Sequence, residues 1–433
     1  MRKPKSLRKP KSLTPADLAA LPDEELLEAV QRQTFGFFWE ATHPISGLAP
    51  DRCKTVAGPV DDLVTTGGSG FGVMAIIVAA ERGWVTRAAA AERLGTMLDL
   101  LVKATCYHGV FPHFMNGRTG ATIPFTRKDD GGDLVETSFL IMGLLCAREY
   151  FSRDTPAEAK IRGLVNYVWR DVEWDWYSQG GHRVLKWHWS PNNGWSQGLD
   201  IRGWNECLIT YVLAASAPRY AIDANAYETG FTVGRHFLNG NSYYGIPLAL
   251  GMPYGGPLFF AHYSFCGIDP RGLKDRYADY WQQNVSHVRI NHAHCKKNPL
   301  HHKGYSASCW GLTASDGPGG YATHAPDDDD GTISPTAALS SMPYAPKQAI
   351  RAMRHFLNAH GEKIWGRFGF VDAFCEAKNW YADTYLAIDQ GPIVIMIENY
   401  RTGLLWKLFM QAPEIQAGLR ALSFTRSLSE HSA

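Results

Sequence analysis

Long hydrophobic runs are missing from this sequence. The longest uninterrupted apolar stretch, Val73–Ala80, is far too short to cross a bilayer, which takes about 20 apolar residues. No membrane partner is therefore expected. The N-terminus carries no apolar leader and opens on the repeat RKPKSLRKPKSL, so the expected location is the cytoplasm, or the periplasm where a leader has been removed. An excess of one charge is missing too. Forty-three basic side chains face 42 acidic ones, for a formal net charge of +1. Nucleic acid is thereby excluded as a partner, because neutralising its phosphates needs a basic surplus.

Cysteines are few and scattered. Cys53, Cys106, Cys146, Cys207, Cys266, Cys295, Cys309 and Cys375 contain no C-x-x-C pair, so neither a disulfide framework nor a thiolate zinc site is supported. Cys146 and Cys207 lie in apolar stretches and read as small buried hydrophobes. GGSGFG near Gly67 fits neither a nucleophile elbow nor a dinucleotide fingerprint, which leaves phosphate and acyl-transfer chemistry without a motif.

Helical periodicity is what the chain does have. Amphipathic helices are predicted over Glu24–Ala41, Thr86–Ala104, Pro156–Arg170, Asp223–Phe237, Arg271–Val288 and Pro346–Ala359. Between them lie segments apolar on nearly every side: Gly67–Ala80, Asp133–Ala147, Gly203–Ala215, Thr332–Met342 and Asp389–Tyr400, with Gly256–Cys266 a weaker sixth. A helix apolar all round must be covered all round. The alternation thus describes an inner ring inside an outer ring, six helical hairpins closing into an all-α (α/α)6 toroid. Gly-rich loops (VTTGGSG, RKDDGGD, DIRGWNE, DDDDGTIS, LAIDQGP) precede the inner helices and would build a cleft at one end of the ring.

Carboxylates cluster at those starts. Asp129, Asp130, Asp133 and Glu136 share RKDDGGDLVETSF; if helical, positions 129 and 133, or 133 and 136, share a face. Mutual repulsion should raise at least one pKa. Glu206 stands alone in a predicted apolar helix beside Trp204, where desolvation would raise its pKa as a general acid requires. Asp389 opens another inner helix, with Asp383 close by; an N-cap or a surface charge is the bland alternative. Trp174, Trp176, Tyr177, Trp187, Trp189, Trp195 and Trp204 crowd one Gly- and Asn-broken segment. Trp187, Trp189, Trp195 and Trp204 are candidate sugar-stacking walls, with Asp130 and Asp383 as further substrate contacts; a packed aromatic cluster is the structural alternative.

Metal readings are weaker. D-D-x-x-D at Asp129–Asp133 matches the magnesium-binding pattern of all-helical cyclases but lacks a downstream partner motif. His292, His294, His301 and His302 show no ordered metal spacing and read as a solvated loop over 291–302. Asp327–Asp330 lacks the alternating pattern of a dedicated calcium loop. No metal ligand is assigned.

RQTFGFFWEATHPISGLAPDR, RKDDGGDLVETSFLIMGLL, GWSQGLDIRGWNE and LAIDQGPIVIMIENYRTGLLW together resemble the glucoamylase-like domain of glycoside hydrolase family 144, from about Leu26 to Met410. The resemblance implies an (α/α)6 toroid that hydrolyses β-1,2-glucan with inversion and without a cofactor. It also implies that Asp129, Asp133, Glu136, Glu206 and Asp389 are the essential acids, with Glu206 the general acid. Inversion needs the acid and base about 6.5–9.5 Å apart, with water between. Asp389, on another inner helix than Glu206, is the expected base, with Asp133 and Asp383 as alternatives. The expected organisation is a disordered basic arm over 1–20, one catalytic domain over 21–425 and a flexible tail over 426–433. Two competing functions are a non-catalytic β-glucan-binding protein on the same fold and a magnesium-dependent helical cyclase or lyase.

Overall fold

The computed structural model describes residues 13–56, 61–180 and 184–427. Its α-helices are α1 Pro15–Ala19, α2 Asp23–Glu40, α3 Thr66–Glu81, α4 Arg87–Leu101, α5 Leu134–Tyr150, α6 Pro156–Asp171, α7 Leu208–Ser216, α8 Tyr280–Lys297, α9 Pro335–Leu339, α10 Pro346–His355, α11 Gly361–Ile364, α12 Ala387–Arg401, α13 Leu404–Gln411 and α14 Pro413–Ala421. Their starts follow local chemistry. Thr86, Thr155 and Asp279 accept hydrogen bonds from the third-residue amides of α4, α6 and α8, and proline occupies the first turn of α6, α9, α10 and α14, where its missing N–H costs nothing.

Every residue of α3 from Thr66 to Ala79 is buried, and α5 and α12 are buried along most of their length. These are the inner helices. α3 packs between α5 and α12, α5 meets α7, and α9 meets α12. Gly70 and Gly143 set the tightest of these contacts: a Cβ on Gly70 would lie 2.3 Å from the Phe139 carbonyl oxygen, and one on Gly143 would lie 2.2 Å from that of Gly70. The place between α7 and α9 is filled by two 3-10 turns, Leu258–Ala261 and Ser264–Cys266. Ser264 Oγ accepts from the Ile209 amide of α7 at 2.9 Å, and His262 Nε2 lies 3.0 Å from Ser341 Oγ just past α9. The inner ring is thereby closed. Outside it, α2 covers α3 and α12, α4 and α6 cover α3 and α5, α8 covers the 3-10 segment, and α10 covers α9. The expected (α/α)6 toroid is the fold.

Four expectations need correction. Asp223–Phe237 forms only the single π-turn Tyr227–Phe231, because Thr229, Gly230, Thr232, Val233 and Gly234 are poor helix formers; α14 backs α7 instead. The helix expected over Arg271–Val288 begins at Tyr280, where Asp279 caps it, and runs on to Lys297. The N-terminal arm is helical from Pro15, opened by a Thr14–Asp17 capping box, with Leu18 and Ala19 buried; residues 1–12 lie outside the described residues. At the other end, Thr425–Arg426 pairs antiparallel with Leu273–Lys274, so the tail is tied through Arg426, and residues 428–433 lie outside the described residues. One contiguous hydrophobic core runs from Leu18 to Phe424. No helix among the described residues is long and apolar enough to cross a membrane. All eight cysteines are unpaired.

Candidate active site

The acids gather at the N-terminal ends of the inner helices, where unpaired amides and the helix dipole favour negative charge. Asp133 caps α5: its Oδ1 accepts from the Val135 and Glu136 amides, each at 3.0 Å. Its Oδ2 lies 3.1 Å from His113 Nδ1. Glu136, in the first turn of α5, is buried and reaches across to α3, where Oε2 accepts from the Gly67 amide at 2.7 Å and from Thr65 Oγ1 at 3.4 Å. Burial pushes Glu136 up to about 7, with Asp133 adding to the rise and His113 opposing it. Burial also resists charge on His113, but Glu136, Asp133 and Asp129 outweigh it and raise the imidazole to about 9. His113 is thus a cation inside the acid cluster, stacked on Phe125 at 4.4 Å; the sequence reading did not single it out.

Asp129 is not helical. It sits in the turn before the short strand Gly132–Asp133, which pairs with His188–Trp189, and its Oδ1 lies 2.9 Å from His188 Nε2 without hydrogen-bond alignment. Asp130 points elsewhere. Its oxygens are taken by Ser190 Oγ and by Asn192 Nδ2 at 2.6 Å, which ties down the Ser190–Gly194 turn.

Glu206 occupies the turn just before α7, not the middle of a helix as expected. Asn205 Oδ1 accepts from the Cys207 amide at 3.0 Å, and Ser264 Oγ donates to the Glu206 carbonyl; the turn is fixed from both sides. The carboxylate is engaged by its own backbone amide and by no other described group. Burial pushes it up to about 7, and Asp133 and Glu136 add to the rise. Glu206 therefore holds a proton near neutrality on a group that no other side chain restrains.

Asp389 lies in the first turn of α12 and is buried. Its carboxyl meets that of Asp372, a second buried acid, side chain to side chain. Burial and Asp372 together hold Asp389 well above the usual carboxylate range. Asp372 is pushed up to about 7 by burial, against the hydrogen bond from Asp389. Asp372 Oδ2 accepts from the Asp316 amide at 2.6 Å, and Arg52 Nη1 lies 3.0 Å from Asp316 Oδ1. Tyr263, buried between the two 3-10 turns, is close enough to feel Asp389, Glu206 and Asp372 together. The sequence reading missed Asp372 because GRFGFVDAFCE alternates between short strand pairs and offers no helix start. Asp383 does not join this set: its side chain is 66% exposed and paired with Lys54 at 3.2 Å.

Of the tryptophans, Trp187, Trp189 and Trp195 are partly exposed beside the Asp133 strand. The Leu134 amide donates to the Trp187 carbonyl at 2.8 Å, and Trp195 tilts against Trp176 at 6.2 Å. Trp204 is different. It is fully buried between Phe265 and Tyr280, a core residue and not a wall. The His-rich stretch is likewise no solvated loop. His292 and His294 belong to the last turns of α8, and His294 bridges Asp329 (2.7 Å) and Tyr244 Oη (2.8 Å). Among Asp327–Asp330, Asp329 is held by His294 and Tyr305, and Asp330 by Lys378.

Residues 198–413 match the Glycoamylase family model, described as "Putative glucoamylase". A solved structure from Bacteroides uniformis with the same description is 55% identical, with a TM-score of 0.91 over 94% of this chain and 98% of that one. An endo-β-1,2-glucanase from Chitinophaga pinensis, solved with sophorotriose and glucose, is 50% identical, with a TM-score of 0.91 over 94% of this chain and 99% of that one. An exo β-1,2-glucooligosaccharide sophorohydrolase (non-reducing end) from Parabacteroides distasonis is 42% identical over 93% of this chain, which spans 58% of that relative's length. With its toroid and its acid-lined helix ends, the chain belongs to the glucoamylase-like glycoside hydrolases of family 144.

Proposed function

We propose that this protein hydrolyses β-1,2-linked glucan by an inverting acid–base mechanism. One observation carries the reading: Glu206, pushed up to about 7 by burial and bonded to no other described side chain, lies near the same buried tyrosine, Tyr263, as the Asp389–Asp372 pair. The substrate class follows from relatives of 50% and 42% identity that act on β-1,2-glucans.

In this mechanism Glu206 donates its proton to the departing glycosidic oxygen, and Asp389 accepts one from the water that attacks the anomeric carbon on the opposite face. Asp133 and His113, as an ion pair, hold Glu136 in place, and the three with Asp129 orient the sugar and keep Glu206 protonated. Trp187, Trp189 and Trp195 line the approach, where flat rings suit the C–H faces of glucose. No step uses a metal or cofactor. The catalytic domain spans the chain from about Pro15 to Arg426. Eight unpaired cysteines suit a reducing compartment such as the cytoplasm.

The test is incubation with linear β-1,2-glucan and with β-1,3-, β-1,4-, β-1,6- and α-1,4-glucans, following product size with time. Cleavage confined to the β-1,2 polymer is expected. Cleavage of α-1,4-glucan with the β-1,2 polymer untouched would overturn the proposal.

A further inference from the structure

Two carboxylates in direct contact inside a protein cannot both be charged at ordinary pH, because repulsion at hydrogen-bond distance in a poorly solvated site is too large. Asp372 and Asp389 are in that position. Each is under 5% exposed, and their side chains are within hydrogen-bond reach of each other. Asp372 Oδ1 and Asp389 Oδ2 are sealed from solvent and have no donor. Two orphaned acceptors on touching carboxyls mark a missing hydrogen, since buried polar atoms are nearly always paired. A proton between these two oxygens satisfies both.

We infer that Asp372 and Asp389 hold one proton between them and act as a single base, with Asp372 a positioning residue that carries the negative charge for Asp389. The surroundings divide the roles. Asp372 Oδ2 accepts from the Asp316 amide at 2.6 Å, and Arg52, which binds both oxygens of Asp316 at 3.0 and 3.3 Å, lends its positive charge to Asp372. Asp389 has no cation among its strongest neighbours; it faces Asp372, Asp316 and Asp51. The shared proton therefore rests on Asp389 and the charge on Asp372. Two tyrosines complete the set of titratable groups: Tyr263, which is buried and kept neutral chiefly by that burial, and Tyr321, which is 52% exposed.

This inference rests on the proposed hydrolysis and resolves a difficulty in it, since a neutral Asp389 alone is a poor base. As water attacks, its proton passes to the free oxygen of Asp389 while the shared proton moves from Asp389 Oδ2 to Asp372 Oδ1. One O–H bond forms at each acid, two break, and the pair ends neutral. Release of one proton to solvent restores it, and Glu206 takes one up. Coupled acids of this kind titrate as a pair.

The experiment compares the pH–rate profiles of wild type, Asp372→Asn and Asp389→Asn on β-1,2-glucan, with circular dichroism to verify folding. In Asp372→Asn the new side-chain amide can still donate to Asp389, but the negative charge of the base must then sit on Asp389 itself, which lacks the Arg52 charge that Asp372 enjoys. The acid limb should therefore move up by at least one pH unit in Asp372→Asn, with some activity kept. Asp389→Asn should lose at least 100-fold at every pH. An unmoved acid limb in a folded, active Asp372→Asn would overturn the pair. Carboxyl carbon-13 NMR of the wild type gives an independent readout should the variant fail to fold: one aspartate pair must titrate in two separated steps, and two independent single steps would overturn the inference. If the wild type cleaves no β-1,2-glucan, the hydrolase reading fails while the carbon-13 titration still decides the pair.

Discussion

The Gly67 amide at the start of α3 donates a 2.7 Å hydrogen bond to Glu136 Oε2 at the start of α5. Neighbouring inner helices are therefore joined at their N-terminal ends by a carboxylate, and the glycine is required there: a Cβ would sit 2.6 Å from that oxygen. Gly67→Ala should displace Glu136 and lower kcat by about 100-fold, the scale of a misplacement near 1 Å, while the melting temperature moves by only a few degrees. Steady-state kinetics with a thermal melt checks this. Unchanged kcat would detach Glu136 from the chemistry.

The acid role proposed for Glu206 predicts a stability that falls as pH rises. Its folded-state value, about 7, lies above the ordinary 4.5, so in that window the native state binds more protons than the unfolded one. Stability from this group is fully present below about 4.5 and is lost as pH rises through about 7. Glu206→Gln removes the charge and with it this loss. The variant should match wild type in stability near pH 4 and exceed it by about 1–3 kcal/mol at pH 8, while losing about two to four orders of magnitude in rate. Urea melts at the two pH values provide the check; equal stability at pH 8 would show that Glu206 is not desolvated.

The tryptophans divide into a buried and a partly exposed class. Trp204→Ala empties a site packed by Phe265 and Tyr280 and should cost about 3–5 kcal/mol. Trp195→Ala, with its ring partly exposed, should leave stability near wild type and raise KM several-fold. Reversal of the two outcomes would exchange the roles given to these residues.

How much was legible follows the same physical lines. The inner helices could be read because a segment apolar on every side admits little but full burial; Gly67–Ala80 was predicted and Thr66–Glu81 is helical. Asp133 and Glu136 were legible because a helix start fixes where acids go. Asp372 was not: its partner is 17 residues away in sequence, and contact between acids from a bend between short strands and from a helix leaves no periodic trace. Trp204 was misread because density in sequence says nothing about which ring faces inward. Its neighbour Glu206 kept its environment but not its helix, since the Asn205 turn delays α7 until Leu208. The His-rich stretch looked solvated because the partners of His294, Asp329 and Tyr244, are distant in the chain.

Inversion at the anomeric carbon is the central claim, and the configuration of the first product tests it most directly. Proton NMR during the earliest turnovers on β-1,2-glucan should show new reducing ends as the α-anomer, which then mutarotates toward the equilibrium mixture. That outcome requires water to enter from the Asp389–Asp372 side while Glu206 protonates the leaving oxygen. Initial β-anomer would mean a covalent glycosyl intermediate and would contradict the assignment of Glu206 and the aspartate pair to opposite faces of the sugar.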